Sequence, residues 1–173
     1  MTNSLRIISQ FILLVLVQVL ILNQISIFGY AVPFLYIYLI IKLPLNMNRS
    51  LVLLIAFLLG LCIDAFTNSY GINASATVLA AFARPYIQKL FFNQEDFTDS
   101  VPSARSLGSA KFYKYSVLVV LLHHTAIFLI EYLSLTEAFS LALHALLSTI
   151  LTLIIIIALE SFSYNRRLKN ERR

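Results

Sequence analysis

Six runs of apolar residues, at 5–22, 28–45, 51–66, 74–92, 115–133 and 139–162, leave almost no chain from which to build anything soluble. A membrane-spanning helix needs about 20 mostly apolar residues, fewer where the bilayer thins or protein surrounds it. The 173 residues are 60% hydrophobic and 12% charged, against roughly 25% charged in a soluble domain. The pattern predicts an all-α membrane protein, one integral domain over 1–173 with about six transmembrane helices. Arg6 ahead of the first run resembles a signal peptide. Gln18, Asn23 and Gln24 stand where small residues would mark cleavage, so the run is expected to stay as an uncleaved first helix.

The basic residues give this bundle a direction. With the N-terminus inside, the cytoplasmic segments hold Arg6; Lys42 and Arg49; Arg84, Lys89, Arg105, Lys111 and Lys114; and Arg166, Arg167, Lys169, Arg172 and Arg173. These are all 13 Lys and Arg of the chain, and the outer turns at 23–29, 67–73 and 134–138 contain none. Positive charge resists translocation, so the partition predicts an inner-membrane protein with both termini cytoplasmic. The net charge of +5 is then a topological signal, and nucleic acid is not expected as a partner.

One long polar segment, 93–113, reads as a cytoplasmic loop, mobile or lying on the membrane surface, and 163–173 reads as a basic cytoplasmic tail. Tyr30, Tyr36, Tyr38, Tyr70, Tyr86, Tyr115, Tyr132 and Tyr164 fall mostly near span ends, as an interfacial ring would. Pro33 is expected in the first turn of the second helix and Pro44 at its end.

Ionisable groups inside a membrane need a partner or a purpose. Asp64, Glu131 and His144 are predicted at similar depth near the outer face, where hydrogen bonds would join them. Three readings are open: a mutually satisfied polar cluster, a partner-docking site, or a solute or proton site. His144, Ser148 and Thr152 recur every fourth residue and share one helix face, expected to bond neighbouring helices. Cys62 stands alone, and the three histidines show no His-Glu-x-x-His spacing. No Gly-x-Ser-x-Gly elbow or phosphate-binding glycine loop is present. The expectation is no catalysis, no metal and no cofactor.

The run Gly60-Leu61-Cys62-Ile63-Asp64-Ala65-Phe66, then Gly71-Ile72-Asn73-Ala74 and an alanine-rich helix ending at Arg84-Pro85, resembles the rod shape-determining protein MreD family. Phe28-Gly29-Tyr30 with Pro33, the chain length and the basic tail are similar too. The resemblance implies a bundle like the substrate-binding S-components of energy-coupling-factor transporters. It also implies a non-enzymatic scaffold of the cell-elongation machinery. MreC is then the expected partner, with MreB, RodA and a penicillin-binding transpeptidase nearby in peptidoglycan synthesis, and Asp64 would hold the family's acidic position. The candidate structural or partner-binding residues are Gly60, Asp64, Gly71, Asn73, Glu131 and His144. The alternative is a substrate-binding subunit of a small-solute, vitamin-type transporter, which needs a deep polar pocket open to the outside.

Overall fold

Long apolar runs of helix formers become helices, and the computed structural model of this chain has six α-helices among its described residues, not all of them membrane-length. It describes residues 2–25, 31–97, 101–131 and 138–171. They are α1 (Thr2–Leu20), α2 (Ile37–Lys42), α3 (Arg49–Thr67), α4 (Ile72–Phe91), α5 (Ser109–Glu131) and α6 (Ala138–Glu171). Among the described residues, four helical stretches are long and apolar enough to cross a membrane: Ser4–Gln24, Arg49–Thr67, Ser109–Glu131 and Ala142–Ser163. Large apolar side chains such as Leu5, Ile12, Leu54, Phe57 and Ile154 face outward from them. In water that surface would be a liability; in hydrocarbon it is what the solvent matches.

The α3 and α4 helices form a hairpin through a four-residue turn, with left-handed backbone at Asn68 (φ 54°), Tyr70 (φ 47°) and Gly71 (φ 91°). This end of the bundle is called the turn end below, and the opposite end, at residues 93–107, the loop end. Polar Asn73, Arg84, Gln88 and Lys89 set α4 apart from the four membrane-length helices, and its first three are buried. It packs between α3 and α5, so protein rather than lipid surrounds those groups. Pro85 does not end α4, which continues to Phe91. A proline removes one backbone donor, and a surrounded membrane helix tolerates that.

The second apolar run departs most from expectation. Only Ile37–Lys42 is helical, about 9 Å of rise. Residues 31–34 have no helical backbone, so Pro33 lies in a non-helical strap and not in a first helical turn. Side chains supply what a helix would have given its backbone. Val32 N–H donates to Ser148 Oγ at 3.1 Å, Phe34 N–H to Thr152 Oγ1 at 3.1 Å and Leu35 N–H to Gln18 Oε1 at 2.8 Å. Gln18 Nε2 donates in turn to the Pro33 carbonyl at 2.9 Å. Irregular backbone survives in a membrane protein only when enclosed like this. Of the stripe on α6, Ser148 and Thr152 thus hold the strap, Thr152 also bonds His124 of the neighbouring helix α5 at 3.2 Å, and His144 bonds its own helix.

At the loop end, Lys42 Nζ and Tyr38 OH both donate to Glu160 Oε1 at 2.6 Å, tying α2 to α6 through a buried ion pair. The described parts of 93–113 are tied to the bundle, and 98–100 lie outside the described residues. Pro102 and Leu107 are buried, Ala104 N–H reaches Glu160 Oε2 at 3.4 Å, and Lys111 pairs with Asp96 at 2.7 Å. That ammonium, then the Asn93 N–H, holds the Asp96 carboxyl below its ordinary range. Residues 163–171 of the basic tail continue α6, which runs to Glu171. At ~1.5 Å per residue its 34 residues reach about 50 Å, well past a hydrocarbon core of ~30 Å. Phe28-Gly29-Tyr30, Tyr132 and the 134–137 part of an outer turn lie outside the described residues.

Candidate functional site

Four of the six expected site residues meet at the α3–α4 joint. Gly60 lets the helices touch: a Cβ there would stand 2.4 Å from Ala74 Cα and 2.6 Å from the Asn73 carbonyl oxygen. One turn on, Asp64 reaches across to the start of α4. Its Oδ1 accepts from Ser69 Oγ (2.6 Å), Asn73 N–H (3.0 Å) and Asn73 Nδ2 (3.0 Å), and its Oδ2 from Ala74 N–H (2.8 Å). The residue before α4 is Gly71, which has no side chain to cap with. A carboxylate borrowed from α3 takes that place, satisfying two orphan N–H groups and facing the positive end of the helix dipole.

The network runs inward from this cap. Tyr36 OH donates to Asn73 Oδ1 at 2.7 Å and lies 3.0 Å from His123 Nε2. The tyrosine has one proton, already given to Asn73, so the bonding pattern assigns the His123 proton to Nε2. His123 Nδ1 is then a buried acceptor with no hydrogen-bond partner among the described residues. His124 has the other tautomer. Its Nδ1–H donates to the Val120 carbonyl at 2.7 Å, and its Nε2 accepts from Thr152 at 3.2 Å. The Thr152 oxygen receives the Phe34 N–H, so the chain of donors is directional throughout.

Glu131 and His144 do not join Asp64. His144 Nδ1 bonds its own helix at the Ser140 carbonyl, 2.7 Å away, and its ring packs on Phe128. Glu131, the last residue of α5, is exposed and makes no hydrogen bond or ion pair among the described residues. It borders a cavity of about 270 Å³ at the turn end, which Asn73 also lines. Among the described residues no three His, Cys, Asp or Glu converge as metal ligands would.

Several residues that organise the interior give little sign of it in the sequence. Arg84, predicted as a cytoplasmic charge, is 3% exposed. Its Nε donates to Tyr115 OH at 3.1 Å, and its Nη2 to the Leu43 carbonyl and, at 3.2 Å, to that of Pro44. It thus clamps the end of α2 with neutral acceptors. Tyr36, Tyr38 and Tyr115 work as interior hydrogen-bonding groups, whereas Tyr70 and Tyr86 are exposed as an interfacial ring requires. Gln18 and Glu160 carried no motif; an amide and a carboxylate inside apolar runs were the only signal. No family model matches the chain, and no curated protein or solved structure matches it either.

Proposed function

We propose that this protein is a non-enzymatic scaffold of the cell-elongation machinery in the inner membrane, binding MreC through its helices and helping to organise peptidoglycan synthesis. The observation that carries the reading is what Gly60, Asp64, Gly71 and Asn73 do. The residues of the MreD-like motif build a joint, with the Asp64 carboxylate saturated by four hydrogen bonds. A carboxylate so occupied supports architecture and not turnover. The broad apolar faces of α1 and α3 leave surface on which partner helices can pack, as association in lipid requires.

The expected topology is six crossings with both ends cytoplasmic. The strap and α2 together make a short crossing: 31–34 extended adds about 13 Å to the ~9 Å of α2, a length that suits a thinned bilayer or a segment surrounded by protein. The turn end is then outside and the loop end inside. With Cys62 replaced by serine, Tyr70→Cys should label with an impermeant thiol reagent in intact cells and Ser109→Cys should not. Labelling of Ser109→Cys would overturn the map. Co-purification in mild detergent tests the partner. MreC should be retained by the wild-type chain, and its absence from the bound fraction would sink the scaffold reading.

The cavity beside Glu131 is the specific observation favouring a solute-binding subunit. Transport of a solute into vesicles, with the other subunits such a transporter needs, would decide for that alternative.

A further inference from the structure

We infer that the cavity at the turn end is a binding site for a compact organic cation, an ammonium or guanidinium group carried on a small apolar body. Its walls divide by chemistry. Val32, Phe34, Ile63, Ile72 and Ile127 form an apolar side, and Asn23, Thr67, Ser69, Asn73 and Glu131 a polar one. The volume, about 270 Å³, lies just below the usual range for pockets of drug-sized ligands, which limits the site to a compact one.

The sign of the preferred charge follows from where the protons on the polar wall already point. Ser69 O–H donates to Asp64, Thr67 O–H to the Ile63 carbonyl, and the Asn73 NH₂ to Asp64 and Ser69. These three groups turn their donors into the protein, which leaves the Asn23 NH₂, whose Oδ1 accepts from Gln18 Nε2 at 2.9 Å, as the donor an anion would find on that wall. Glu131 adds a carboxylate with no hydrogen bond or ion pair among the described residues. A donor-rich cation meets a negative charge and open lone pairs, beside an apolar wall that strengthens the attraction over its value in bulk water. The floor is also rigid. Asn73 is held by Asp64, Ser69 and Tyr36 at once, so little ordering is left to do on binding.

The site stands apart from the scaffold reading, and either can fail without the other. The test uses benzylammonium and its neutral analogue benzyl alcohol, titrated into the full chain in lipid nanodiscs and followed by calorimetry. Benzylammonium should bind saturably at one site per chain, and benzyl alcohol about tenfold more weakly. Glu131→Gln, a change at an exposed position, should weaken benzylammonium about tenfold, or about 1.4 kcal/mol, and leave benzyl alcohol unchanged. Ile72→Trp, which puts an indole against the half-buried wall, should weaken both. No saturable binding by the wild-type chain, or equal benzylammonium affinity in Glu131→Gln, would overturn the proposal.

Discussion

Replacing Asp64 by alanine removes the acceptor of two backbone N–H groups and of the Asn73 amide in one step. Leaving buried donors unmet costs roughly 1–3 kcal/mol. Asp64→Ala should therefore lower the melting temperature in detergent clearly. Asp64→Asn, which keeps one acceptor oxygen, should lower it less; equal losses would show that the cap geometry is immaterial. Gly60→Ala tests the neighbouring contact. Its new methyl would collide with backbone atoms of Ala74, which cannot rotate away as a side chain would. Overpacking of this kind costs about 1–3 kcal/mol, so thermal stability should fall although alanine is the better helix former. A more stable Gly60→Ala protein would mean that the helices part at little cost.

The strap and the buried ion pair set expectations for whole elements. Thr152→Val leaves the Phe34 N–H and His124 Nε2 without their partner, so it should destabilise by roughly 1–3 kcal/mol. It should also speed hydrogen exchange at Phe34 more than at amides within α3; uniform acceleration would argue against a local role. Lys42→Met strands the Glu160 carboxylate in the interior and should cost about 3–5 kcal/mol. The Lys42→Met/Glu160→Leu double variant should regain much of that, which a double-mutant cycle in thermal unfolding would measure. These elements also mark where the sequence stops being legible. The α3 helix could be read because one apolar run of 16 residues, 51–66, is all it is. The residues of the joint could be singled out through the family resemblance alone, and the sequence pairs Asp64 with Glu131 and His144, whereas the carboxylate caps α4. The strap could not be read, since its apolar residues suit a helix equally well. Its backbone follows Ser148 and Thr152, more than a hundred residues away. Likewise Arg84 and Lys42 read as cytoplasmic charges, because their acceptors come from Leu43, Tyr115 and Glu160 and nothing local announces them.

Across the whole molecule, polar groups sit in separate layers. A capped joint and a cavity occupy the turn end, a histidine–tyrosine network lies deeper, and an ion pair with a clamped arginine lies toward the loop end. Such a bundle is stiffened at several levels along its length. One of these features also bears on how the protein is made. A nascent chain emerges from its N-terminus, and the strap is synthesised long before the helix carrying Ser148 and Thr152. Until α6 arrives, the Val32 and Phe34 amides lack the acceptors that make their conformation tolerable in lipid. Residues 31–36 must wait in water, in the insertion machinery or in some other backbone arrangement. A chain stopped after Glu131 should expose that wait: with Cys62 replaced by serine in both chains, Ala31→Cys should react with a soluble maleimide far faster in the truncated protein than in the complete one. The last helix to be synthesised is, in that sense, the one that finishes the second.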